Sequence, residues 1–170
     1  MANNWTKEQT IVALSVYCRV PFNKANNSNK LIKEIAPLIG REPNALKMKI
    51  GNFGHLDSEL KQKNIRGLSN VSKLDKDIWN EYCNDWERLA YDAEKILANM
   101  KHSKLEDSIG INEIPIGLDK DIIVKARINQ NFFRSAVLAS YENKCCITGL
   151  SSLVLLEACH IVDWSENISN

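Results

Sequence analysis

Lys144-Cys145-Cys146-Ile147-Thr148-Gly149-Leu150, followed by Leu153 to Glu157 and then Ala158-Cys159-His160-Ile161-Val162-Asp163-Trp164, is the stretch whose reading decides the fold class. Apolar runs on either side of a glycine turn predict a β-hairpin. The chain before it follows helical spacing, so this run distinguishes an all-helical protein from a mainly α protein with a small β unit near its end.

Immediately upstream, Asn129 to Tyr141 reads as a helix with Phe132, Phe133, Ala136, Val137 and Tyr141 on its inner side. Ser103 to Lys120, with Gly110, Pro115 and Gly117 and no sustained period, reads as a linker. A long helix is predicted from Leu74 to Met100, because Ile78, Tyr82, Trp86, Leu89, Ala93, Ile96 and Met100 recur three and four residues apart. One continuous stripe of this kind is a core signature rather than a set of base-stacking platforms. The predicted domains are therefore a helical one, 1–102, and a second, 121–170, joined by the linker 103–120.

At the other end, Thr6-Lys7-Glu8-Gln9 fits a capping box that opens the first helix, and Pro21 should end it. Asn29 to Ile39 forms a second helix with Leu31, Ile32, Ile35 and Leu38 inside, and Gly40 stops it. Pro43 suits the first turn of a third helix bearing Leu46, Ile50 and Phe53. Lys47 and Lys49 fall off that stripe. Two short helices around Gly40-Arg41-Glu42 predict a helix-turn-helix whose second helix faces a DNA groove through Arg41, Lys47 and Lys49. The pattern equally allows a small helical bundle with a solvated basic face.

The formal charge of the 170 residues is only +1, but it is unevenly spread. From Arg19 to Lys73 there are eleven Lys or Arg against four Asp or Glu, whereas Leu74 to Ser108 holds five against nine. A near-neutral chain thus contains a basic segment suited to phosphates. No stretch of about eighteen apolar residues occurs, which argues against a membrane partner, and five cysteines without a leader sequence predict reduced thiols and a cytoplasmic location.

The ordered succession Arg127-Ile128-Asn129-Gln130, Phe133-Arg134, Val137-Leu138, Tyr141, Cys145-Cys146-Ile147-Thr148-Gly149, Leu156-Glu157-Ala158, His160-Ile161 and Trp164 resembles bacterial HNH proteins of the restriction endonuclease type. Pro21-Phe22, Gly40-Arg41-Glu42-Pro43, Lys47-Met48-Lys49, Asn52-Phe53, Leu56-Asp57 and Gly67-Leu68-Ser69 resemble the helical region that often precedes the nuclease there. The resemblance implies a mainly α fold with an N-terminal helix-turn-helix-like domain and an incomplete ββα-metal unit built on the hairpin.

It also implies chemistry. His160 matches the first histidine of the motif, the general base that takes a proton from the attacking water, a task suited to a side chain ionising near neutrality. A divalent ion, Mg2+ or Mn2+, would stabilise the developing charge. Cys159 stands where many HNH sites carry an acidic ligand, and a thiolate is too soft for magnesium, so it should be packed. Asp163 and Glu157 are candidate metal ligands, against the plainer reading of surface carboxylates. No CxxC pair is present, so no structural zinc is expected, and one buried thiol with one partly exposed thiol is the plainer account of Cys145 and Cys146. His55 and His102 carry no assignment.

The downstream asparagine and histidine of the motif are missing, and Asn167 and Asn170 follow His160 too closely to replace them. Ten residues, 161–170, are too few for the loop and helix that would close the site at about 1.5 Å of helical rise each. The expected function is a metal-dependent DNA endonuclease of restriction or defence type acting on double-stranded DNA, inactive as this chain stands. The alternative is a non-catalytic DNA-binding or interaction module with a degenerate HNH domain. Exposure of Leu153, Leu155, Ile161 and Trp164 by a shortened hairpin would favour a homodimer.

Overall fold

The computed structural model describes residues 4–108 and 119–159. Its first helix, α1 (Lys7–Arg19), is the axis of the molecule. Thr10 through Val16 are all buried, the condition of a helix enclosed on every side. Two hydroxyls in this run are satisfied within the helix: Thr10 donates to the Thr6 carbonyl (2.7 Å) and Ser15 to that of Val12 (2.9 Å). The predicted capping box is present, with Thr6 and Gln9 exchanging bonds of 3.2 Å.

The helices α2 (Lys30–Leu38) and α3 (Pro43–Leu56) form the next pair. Asn29 caps α2 through the amides of Leu31 and Ile32, and Gly40, at φ +66°, reverses the chain after Pro37, which the last turn of α2 accommodates. Leu46, Ile50 and Phe53 of α3 are fully buried, as their spacing predicts. The short α4 (Ser58–Gln62) leads to a non-helical stretch and then α5 (Lys73–Tyr82). After α6 (Trp86–Met100) come α7 (Leu105–Ser108) and α8 (Lys120–Ser140). α1 touches α3, α5, α6 and α8. No helix among the described residues is long and apolar enough to cross a membrane.

Three expectations are corrected. The single helix predicted from Leu74 to Met100 is two, because Asp85 leaves helical geometry and its carboxylate accepts from the Arg88 amide at 3.0 Å, opening α6. An aspartate that can cap competes with one that continues a helix. Trp86 consequently turns outward, while Trp79 packs against Tyr17 and Phe53.

The second correction concerns α8, which begins at Lys120 rather than Asn129 because Asp119 caps it through the Asp121 amide. Its early turns bring Val124, Ile128 and Phe132 into the same apolar cluster as α1 and α6. The core therefore extends across the predicted boundary at 103–120, and part of the segment assigned to 121–170 belongs to the helical bundle.

Third, no β-strand occurs among the described residues, and the ββα hairpin is not formed there. One backbone bond joins Cys145 to the Leu150 carbonyl (2.8 Å) and Gly149 donates to Cys145 (3.0 Å), closing a tight turn. The second run then curls at Leu153–Leu155 into a 3-10 turn instead of pairing. Without a third strand or a packed face, a short hairpin has little to hold it, and Ile147 and Val154 stand 89% and 92% exposed.

Candidate nucleic-acid interface

The α2–turn–α3 unit has the expected succession, but it displays less positive charge than its sequence implies. Lys49 is buried: its ammonium lies 2.6 Å from Asp75 Oδ1 and 4.6 Å from the centre of the Trp5 ring. The expectation that it lies off the packed face is corrected. Lys49 stands three residues after Leu46 and four before Phe53, at the edge of the apolar stripe, and the approach of α5 extends the covered arc over it.

Arg41 is also held internally. Its Nε and Nη2 donate to Gln9 Oε1 (3.1 and 2.7 Å), Nη2 reaches the Asn4 carbonyl (2.6 Å), and the guanidinium lies over Trp5 at 4.8 Å. Gln9 in turn donates to the Ile39 carbonyl (2.8 Å), so the turn between α2 and α3 is tied to the start of α1. A third basic side chain, Arg19, donates to the Ser15 carbonyl and hydroxyl at 3.2 Å and faces Glu94 at 3.5 Å. It borders a 160 Å³ cleft between α1, α6 and α8, where burial lowers its pKa. Of the three predicted DNA contacts, Lys47 alone is described without such an internal partner; it is half-buried, between exposed Asn44 and Met48.

The C-terminal half of α3 is crossed by the chain at Gly67 and Leu68. Gly67 passes so close to the backbone of Gly51, Gly54 and His55 that no side chain would fit there. Leu68 lies against Gly51 and donates its amide to the Gly51 carbonyl at 2.8 Å. The connection from α3 to α5 thus forms a strap, fixed at its middle where Gly67 meets the α3 backbone and Leu68 fills the space a side chain on Gly51 would take.

Aspartates fix both ends of the strap. Asp57 caps α4 through the amides of Glu59 and Leu60 and accepts from the Tyr17 hydroxyl at 2.5 Å. Asp75 closes a capping box with Ser72 and accepts from Lys49 and Asn52. Between them, residues 60–74 hold Lys61, Lys63, Arg66 and Lys73 and no acidic side chain. All four basic residues are exposed, and none is ion-paired among the described residues. Sequence reasoning registered the charge of the wider segment but placed it on α3; the acid-free window between two aspartates was the available signal.

The Tyr17–Asp57 bond yields a prediction. Burial, then the hydrogen bond and charge of Asp57, raise the tyrosine's pKa above its ordinary 10.0, and burial pushes the neighbouring Cys18 thiol up to about 12. Both folded-state values lie above the unfolded ones. The stability these groups contribute is full below the unfolded values and is lost as pH rises beyond them toward the folded ones. Urea unfolding from about pH 7 to about pH 10.5 is expected to show falling stability above about pH 9, with a shallower fall in Tyr17→Phe. At neutral pH that variant should cost about 1.5–3 kcal/mol, the range for a bond to a charged acceptor. An alkaline slope unchanged by the substitution would contradict this account.

The residues proposed for nuclease chemistry are only partly within view. His160 and Asp163 lie outside the described residues. Glu157 is exposed, just beyond Leu153–Leu156, where Arg134 of α8 donates to the carbonyls of Leu156 (2.6 Å) and Leu153 (3.2 Å). Cys159 is exposed rather than packed, Cys146 is exposed and Cys145 is half-buried. Cys145 Sγ accepts from the Thr148 amide at 3.4 Å, and hydrogen bonding there lowers its pKa. No group of three His, Cys, Asp or Glu side chains suited to a metal occurs among the described residues.

These features define a mainly α protein whose charged strap is pinned across α3. No family model, no curated protein and no solved structure matches the chain.

Proposed function

We propose that the protein engages double-stranded DNA and belongs to a metal-dependent endonuclease of the HNH, restriction or defence type. The observation that carries the DNA part is the α2–turn–α3 unit, with Asn44, Lys47 and Met48 on the uncovered N-terminal half of α3. In helix-turn-helix docking that half of the second helix approaches base edges, while neighbouring cations contact phosphates. The nuclease part rests on the motif around His160, with His160 as general base in hydrolysis of the phosphodiester bond and Mg2+ or Mn2+ supplying charge stabilisation. The Arg134 bonds to Leu153 and Leu156 support it by fixing the approach to that motif on α8.

A second reading, a non-catalytic DNA-binding module, is favoured by the burial of Val124, Ile128 and Phe132 in the bundle, which gives α8 a structural role independent of any nuclease unit. The exposed Leu153, Val154 and Leu155 suit self-association in either reading. Plasmid cleavage in Mg2+ or Mn2+, comparing the product of the full reading frame with its His160→Ala variant, separates the two. Cleavage lost on substitution supports the nuclease. Binding to duplex without cleavage leaves the module, and absence of both binding and cleavage removes both readings.

A further inference from the structure

We propose that the principal phosphate-contacting surface for duplex DNA is the strap between α4 and α5, through Lys61, Lys63, Arg66 and Lys73, rather than α3. The proposal rests on the DNA reading above and names where that partner is held. Arg41 and Lys49 are committed to Gln9, Trp5 and Asp75, which leaves α3 with Lys47 as its one described cation free of such a partner. Of the two surfaces, the strap and not α3 therefore carries the exposed, unpaired positive charge.

Geometry makes that charge a fixed feature. After α4, the Asn64 amide donates to the Lys61 carbonyl (3.0 Å) and that of Ile65 to Leu60 (2.9 Å), with Asn64 at φ +57°. This closed turn brings Lys61, Lys63 and Arg66 around a single reversal. Gly67 and Leu68 seat the chain on α3, and the capping aspartates anchor either side. Lys73 occupies the first turn of α5, where the helix dipole disfavours a cation, so helix stability does not explain a lysine there. Four exposed cations without ion pairs, on a stretch with no acidic side chain from 60 to 74, suit a polyanion, because each phosphate neutralised releases condensed counterions.

The test measures anisotropy of a labelled duplex across a salt series, with wild type, a strap variant (Lys61→Glu, Lys63→Glu, Arg66→Glu) and a control (Lys95→Glu, Lys101→Glu, Lys104→Glu). Both variants change net charge equally at exposed positions, and circular dichroism checks that both fold. The strap variant is expected to lose at least about tenfold in affinity at 0.1 M salt, with the salt slope reduced by about 3, while the control stays within about threefold. Wild-type binding with an unaffected strap variant, or equal losses in both variants, overturns the placement and leaves the DNA reading standing. Absence of wild-type duplex binding defeats the DNA reading itself. Capture by phosphatidylserine vesicles without duplex binding would reassign the strap to a membrane surface.

Discussion

Lys49→Ala is expected to destabilise the fold by about 3–5 kcal/mol, the cost of leaving one member of a buried ion pair without the other. For a chain of this size that corresponds to a fall in melting temperature of roughly 6–20 °C. The side chains of Lys49 and Asp75 are 6% and 0% exposed, and the pair joins α3 to α5 at a spot where water cannot replace the ammonium. Asp75 would retain the Asn52 amide and the Ser72 amide, but both are neutral donors. Lys49→Met separates charge from volume, because it keeps most of the aliphatic stem. It should remain strongly destabilised, and Lys49→Met combined with Asp75→Asn should recover part of the loss, since an asparagine can still accept from Ser72 without carrying a charge. A double variant no better than Lys49→Met alone would show that volume, not the unpaired carboxylate, sets the cost. The same variants bear on function: Lys49→Met, once its stability is allowed for, should retain duplex binding, because its ammonium faces Asp75 and Trp5 and not solvent.

Lys49 also shows where sequence and structure part. Periodicity on α3 correctly selected Leu46, Ile50 and Phe53, because a helix packed on one neighbour buries a narrow stripe. Contact with α5, beyond those with α1 and α2, widens that stripe over its edge at position 49, where a lysine carries no local sign of burial. Local start signals were the most legible: the Thr6 and Asn29 side chains bond amides two or three residues on, and Pro43 suits the first turn of α3 by its own fixed geometry. Asp85 went unread because Ile78 through Met100 keep a helical period across it, and a carboxylate three residues before an amide has two available roles. The strap was hardest to read. Its path depends on Gly51 and Gly67, and glycines in a helix and a loop announce nothing until the two segments are seen to cross.

The crossing supplies the other large expected effect. In Gly67→Ala a new methyl group would meet the backbone of α3 at Gly51, Gly54 and His55, atoms that cannot rotate aside as a side chain would. The strap must lift. It then loses the 2.8 Å bond from the Leu68 amide to Gly51 and the packing of Leu68 on that glycine. Overpacking of this kind costs about 1–3 kcal/mol, and the lost hydrogen bond about 1 kcal/mol more. Gly40→Ala provides the contrast: nothing lies near its would-be methyl group, and only its φ of +66° opposes substitution, at about 1–2 kcal/mol. The two variants should therefore differ in kind as well as size. Hydrogen exchange at Leu68 should accelerate strongly in Gly67→Ala and stay protected in Gly40→Ala. Because the lifted strap would no longer hold Lys61, Lys63 and Arg66 in one arrangement, Gly67→Ala should also weaken duplex binding without altering any charge. Native Leu68 protection in Gly67→Ala would mean that α3 and the strap can separate slightly at little cost, and the rigidity argued for the basic surface would fail with it.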